Sequence, residues 1–278
     1  MEQANYRILL TSDIHCTDWD EWYGVSNDDR MQAWVNAVLS QHEKHPFDLI
    51  LIVGDISLDF HYDMTPYNKG YSTSKIFIER FFSQLPKDLP VRIIAGNHEF
   101  GYSNEEWKDI TGYERSGYAT VGNNLFILLD SFSGELAPDN LNYTLRLMEQ
   151  FPSHDVWLIS HFFELPMQDD AFRQLVAKDE RIKGLFMGHT HRCHVIDLGE
   201  EFNHKTIAQL GNFSFTRGDI QTTFWGFRDL LIGPEKTVSR YLQMENDVIF
   251  RGNPTHIEAR ISDMVEYEIY DCHGRSNK

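Results

Sequence analysis

At 278 residues, 41% of them hydrophobic, the chain is long enough to bury a sizeable core in one large α/β domain. A formal charge of −17 argues against wrapping long duplex nucleic acid, which needs a basic footprint, yet allows a small anionic substrate beside bound cations. Three cysteines without C-x-x-C spacing, no apolar run long enough for a bilayer and no signal-peptide start fit a reduced, cytoplasmic compartment without membrane contact.

In chain order, Tyr6 to Thr11 reads as a short apolar strand. A helix is predicted from Asp28 to Lys44, where Met31, Trp34, Val35, Val38 and Leu39 make one stripe; Asn27 or Asp28 would cap it and Pro46 limits it. Asp48 to Val53 is a near-continuous apolar run, the pattern of a strand buried on both faces. Ser72 to Leu85 is predicted as a second helix, with Phe77, Phe81 and Phe82 as core, and Val91 to Ala95 as the next strand. Strands at Leu125 to Leu129 and Val156 to Ile159 flank a helix at Asn140 to Gln150, and Leu185 to Met187 ends a further strand. Beyond it, Val195 to Leu198, Lys205 to Leu210, Phe227 to Ile232 and Thr237 to Met244 read as β. This is a layered α/β pattern. No linker or repeat divides it, so a single domain over residues 1–278 is expected, with the polar stretch from about Arg251 as a terminal arm or partner contact.

Polar clusters follow the apolar runs. They are Asp13-Ile14-His15, Gly54-Asp55, Gly96-Asn97-His98-Glu99, His161 and Gly188-His189-Thr190-His191. In open α/β sheets, loops at the carboxyl ends of strands converge on one cleft, so motifs far apart in sequence can meet there. Asp13 and His15 are two residues apart, so in extended backbone both would face one ion; His189 and His191 have the same spacing and could reach two adjacent ions. Gly188 and Gly54 would free the backbone beside them. A carboxylate such as Asp55 can be shared by two cations, and Asn97 adds a ligand oxygen without charge. The second D-x-H, Asp59-Phe60-His61, reads as loop, and Cys16 as a small buried side chain. Arg115, Arg192 and Arg217 are candidate phosphate contacts, and the loops Phe60 to Tyr71 and Phe100 to Ser116 carry aromatics that could stack on a nucleobase. Neither a G-x-S-x-G elbow nor a Walker-type loop is present.

The five blocks, in this order, resemble the signature of the calcineurin-like metallophosphoesterase superfamily, D-x-H, G-D, G-N-H-D/E, H and G-H-x-H. The segment from Leu128 to Ser131 is similar to bacterial small phosphodiesterase-type members. The resemblance implies a four-layer α/β/β/α sandwich of two mixed sheets flanked by helices. It further implies one metal on Asp13, His15 and His191, another on Asn97, His161 and His189, Asp55 bridging them and His98 as the catalytic residue beside the scissile ester. Glu99 stands where many members carry Asp. The arginine that phosphoprotein phosphatases place just after the Gly-Asp block is missing from Gly54 to Asp59, which weakens a phosphoprotein substrate.

The expected chemistry is dinuclear hydrolysis of a phosphate diester, such as a cyclic nucleotide, or of a monoester. Two cations about 3.5–4 Å apart would share a hydroxide for in-line attack. Oxygen and imidazole ligands suit manganese first, then iron, zinc or nickel. The rivals are a nuclease of the same superfamily, disfavoured by the acidity, and a non-catalytic metal-binding scaffold, disfavoured by the intact blocks.

Overall fold

The computed structural model describes residues 5–22, 25–61, 63–67, 72–130, 139–164, 166–214, 225–234 and 236–244, with the backbone alone for 259–268. The first strand, β1 (Tyr6–Thr11), leads into a two-residue hairpin of β2 (Glu21–Trp22) and β3 (Val25–Ser26). Helix α1 (Asn27–Lys44) follows, one residue longer at its start than its apolar stripe predicts. Ser26 caps it, its hydroxyl accepting the N–H of Asp29, in place of the Asn27 or Asp28 expected from the sequence.

Next come β4 (Leu49–Val53), α2 (Thr73–Ile76), β5 (Val91–Ile94), α3 (Asn104–Thr111), β6 (Gly117–Val121) and β7 (Asn124–Leu129). The second half holds α4 (Asn140–Gln150), β8 (Asp155–Ser160), α5 (Asp170–Lys178), β9 (Ile182–Met187), β10 (Val195–Asp197), β11 (Thr206–Gln209), β12 (Gly226–Ile232), β13 (Lys236–Met244) and β14 (Ala259–Glu268). The predicted helix from Ser72 to Leu85 is not one α-helix: α2 passes into a π turn at Phe77–Phe81 and a 3₁₀ turn at Phe82–Gln84. Phe77 and Phe81, four residues apart and so on one face, are both buried.

Two six-stranded sheets carry the fold. One runs β14-β13-β12-β1-β4-β5 and the other β10-β11-β9-β8-β7-β6. In the first, β1, β4 and β5 are parallel; in the second, β7, β8, β9 and β11 are parallel, with antiparallel strands outside. Alternation along the strands divides the core. Ile8, Leu10, Leu49, Leu51 and Val53 face Phe126, Leu128, Trp157 and Ile159 across the sheet–sheet interface. Leu9, Ile50 and Ile52 point outward onto Met31, Trp34, Val35 and Val38 of α1, while Leu125, Ile127 and Leu158 point the other way onto Leu147 and Met148 of α4 and Phe172 and Val176 of α5. The architecture is therefore α/β/β/α. Strands buried on both faces account for their uninterrupted apolar runs.

Residues 259–268, within the stretch expected from sequence to be a polar arm, form an edge strand: β14 pairs antiparallel along the length of β13. Among the described residues no helix is long and apolar enough to cross a membrane.

Candidate metal centre

All five polar clusters lie at the carboxyl ends of parallel strands, β1, β4 and β5 from one sheet and β8 and β9 from the other. There they converge. The loops after β1 and β4 run side by side, with Asp13, His15 and Cys16 donating backbone N–H to the carbonyls of Gly54, Asp55 and Ile56.

The backbone of these loops departs from the extended form expected for the D-x-H and H-x-H pairs. Asp13, His15, Asp55, His189 and His191 all adopt positive φ, between 50° and 66°. A left-handed non-glycine residue costs roughly 1–2 kcal/mol, and such strain gathers where a site over-determines the backbone. Gly54, at φ 79°, is needed on two counts, because a Cβ there would stand 2.6 Å from the His161 ring and 2.7 Å from the Gly96 backbone. Gly188 is required by proximity alone, since its Cβ would meet Ser12 Oγ at 1.9 Å.

Each carboxylate is held by one oxygen and presents the other. Asp13 Oδ2 accepts the His189 N–H at 2.9 Å, leaving Oδ1, buried and without a hydrogen-bond donor, 3.3 Å from His191 Nε2 and 3.7 Å from His15 Nε2. Asp55 Oδ1 accepts the His98 N–H at 3.0 Å, while Oδ2 lies 3.2 Å from His161 Nε2, 3.8 Å from His15 Nε2 and 4.0 Å from His98 Nε2. One oxygen of Asp55 thus faces both halves of the cluster. Asn97 Oδ1 completes the second half, 3.0 Å from His161 Nε2 and 2.7 Å from His189 Nδ1.

The imidazoles are oriented from behind. His161 Nδ1 donates to the Val53 carbonyl at 2.8 Å and His98 Nδ1 to the Phe60 carbonyl at 2.7 Å, which turns each Nε2 toward the cluster. His15 and His191 bring their Nε2 atoms within 3.1 Å of one another. Lone-pair atoms of carboxylates, an amide and imidazoles crowded this closely fit a cation. Among the described residues three groups could hold one: Asp13, His15 and His191; His15, Asp55 and His98; and Asp55, His161 and His189.

Electrostatics agree. Burial works to raise Asp13, but His191 and His15 hold it well below the usual carboxylate range; burial likewise opposes His161 and His98, which hold Asp55 low. Burial works to lower His161, yet the Asp55 carboxylate pushes it up to about 10, whereas burial takes His15 down to about 4. One imidazole demands a positive charge and its neighbour offers a lone pair.

Two supporting residues carry more of the site than their sequence context shows. Glu99 is fully buried and accepts the N–H groups of Asp55, Ser57 and Gly96 at 2.8–3.0 Å, tying the β4 and β5 turns together. Burial, then the charge of Asp55, pushes it up to about 8. Arg30 of α1 is also fully buried and donates to the carbonyls of Ile14, His15 and Phe213 and to Asn27 Oδ1, all neutral oxygens. Its place four residues before Trp34, on the apolar stripe of α1, was the signal in the sequence.

Other candidates fall elsewhere. Arg115 is not a phosphate contact: its guanidinium is buried and paired with Asp130 at 2.7 Å. Arg192 is exposed next to His191, and Arg217 lies outside the described residues. Asp59 turns away from the cluster to accept the N–H groups of Thr73 and Ser74, while His61 is exposed against Tyr67. Burial pushes the Cys16 thiol up to about 12, so it offers no thiolate.

A family model for calcineurin-like phosphoesterases matches residues 6–193. The chain belongs to this family. It is by that membership a metal-dependent phosphoric ester hydrolase. A dimetal phosphatase from Danio rerio superposes with a TM-score of 0.63 at 14% identity, covering 86% of this chain and 96% of the other. GAP50, the anchor in the inner membrane complex of Plasmodium, superposes with a TM-score of 0.62 at 12% identity, covering 97% and 90%. Likenesses at such low identity speak to the fold alone. No curated protein matches the chain.

Proposed function

We propose that this phosphoesterase is a dinuclear enzyme acting on small phosphate esters, diesters before monoesters, with a cyclic nucleotide among the candidate substrates. In this reading residues 1–278 are one phosphoesterase unit. Asp13, His15 and His191 hold one ion, Asn97, His161 and His189 the other, and Asp55 lies between them. The observation that carries it is Asp55 Oδ2, within 3.2 Å of His161 Nε2 and 3.8 Å of His15 Nε2. Manganese is the first choice, with iron, zinc and nickel served by the same donors. When bound, such a pair supplies Lewis acidity toward a phosphoryl oxygen and an acidified water.

The remaining work falls to the chain. His98, 13% exposed and pinned through Nδ1 to Phe60, keeps Nε2 at the mouth, where a proton on that atom would meet a phosphoryl or leaving oxygen. Glu99 and Arg30 keep the ligand turns from relaxing. The acidic charge balance disfavours long duplex nucleic acid, and the buried Cys16 and Cys193 suit a reducing cytoplasm.

The test is metal analysis of the purified protein combined with turnover of bis-p-nitrophenyl phosphate, p-nitrophenyl phosphate, cyclic AMP and an oligonucleotide. About two ions per chain and preferred cleavage of the first substrate are expected. An inert protein at full metal content would favour the scaffold, and preferred cleavage of the oligonucleotide a nuclease.

A further inference from the structure

The rings bordering the centre close into a circuit. Trp22 lies 5.7 Å from His15 between ring centroids, Trp19 5.6 Å from Trp22, Tyr67 6.2 Å from Trp19 and His98 6.0 Å from Tyr67; His98 returns to His15 at 5.2 Å. His15 and His98 belong to the ion cluster, but the other three rings contribute nothing to it. They come from the segment between β1 and α1 and from the loop after β4, so two separate stretches of chain have been brought together beside His98. Trp19 is 40% exposed and Trp22 and Tyr67 half-buried. Apolar ring surface left open at the rim of a reaction centre gains free energy when a flat partner covers it.

We propose that Trp19, Trp22 and Tyr67 form a specificity wall for a planar aromatic group, of the nucleobase kind, carried on the phosphoryl group of the ester. The proposal rests on the phosphoesterase function above and names its substrate class. Position argues for it, because His98 Nε2 stands 4.0 Å from Asp55 Oδ2 and Tyr67 lies next beyond His98. Rigidity argues for it too. Trp22 lies over the Arg30 guanidinium at 5.4 Å, and that guanidinium is itself fixed on the carbonyls of Ile14 and His15. Charge narrows the ligand: Asp18, Asp20 and Glu21 are exposed around Trp19, so the group on the wall is neutral and not a second phosphate.

The experiment uses two ligands that differ only in the base, AMP and ribose 5-phosphate, titrated into the manganese-loaded protein by calorimetry. AMP is expected to bind about 10-fold more tightly than ribose 5-phosphate, the scale of one base–aromatic stack. Trp19→Ala and Tyr67→Ala should each erase most of that ratio, and Trp19→Phe should keep it. Equal affinity for the two ligands, no measurable binding of AMP at millimolar concentration, or an equal loss for both ligands in the variants overturns the wall. Base-dependent binding by a protein that turns over no ester would instead sustain the wall and remove the hydrolase.

Discussion

The two halves of the ion cluster are built by different means. Asp13, His15 and His191 all hold left-handed backbone, and the loop that carries the first two is tied down by Arg30 from a neighbouring helix. In the other half only His189 is left-handed; His161 follows directly from β8 and Asn97 opens a 3₁₀ turn after β5. Exposure does not separate the halves, since each sets one half-buried imidazole, His191 or His189, beside buried partners. The first half borrows its rigidity from elsewhere and the second inherits it from the sheet. A loop-borne half should therefore yield its ion first.

Asp55 belongs to both halves, so its loss should erase the difference. Asp55→Asn is expected to strip both ions and reduce turnover to background, measured by metal content and bis-p-nitrophenyl phosphate hydrolysis. His98→Gln should keep both ions while kcat falls by about 10²–10⁴-fold. A fully loaded, active Asp55→Asn enzyme would remove the bridging role. Gly54→Ala, which forces a Cβ into Gly96 and strains a left-handed turn, should cost about 2–5 kcal/mol of stability in urea unfolding.

Arg30→Met tests the asymmetry itself. It should weaken the Asp13-side ion by about 10–100-fold and leave the other nearly intact, seen as two separated steps in a manganese titration. Equal weakening of both ions would break the comparison.

The smallest effect is a pH dependence of the metal-free protein. His161 is raised from 6.5 to about 10, so its contribution is full below pH 6.5 and is lost as pH climbs through about 10. His15 is lowered to about 4, so the native state disfavours its proton and stability falls as pH drops from 6.5 toward 4. Glu99, raised from 4.5 to about 8, adds a loss between those values, which offsets the His15 slope below pH 6.5 and steepens the decline above it. Stability should therefore fall from pH 6.5 upward, and His161→Gln should remove the part of that loss above about pH 8, as thermal unfolding at stepped pH would reveal.

Much of this was legible in the sequence because strand burial and motif order are local signals. The run from Leu49 to Val53 declares a strand covered on both faces, and a Gly-Asp pair at its end declares a turn. Conformation at the ligands was not legible: spacing says that Asp13 and His15 can converge, but nothing in D-x-H separates extended from left-handed backbone. Arg115 illustrates the other limit. An arginine in a polar stretch reads as a phosphate contact until Asp130, 15 residues away, turns out to neutralise it. The short elements β2, β3, α3 and α5 escaped because few apolar residues mark them and capping by Ser103 or Asp169 defines their starts more than periodicity does.

The pairing of β14 with β13 carries a practical corollary for anyone shortening the chain. Cutting before Ala259 would leave the nine residues of β13 with an uncovered row of amide and carbonyl groups, a template for another copy to zip onto. Such a fragment would gain self-association at the far edge of the first sheet, where it could be mistaken for a native dimer.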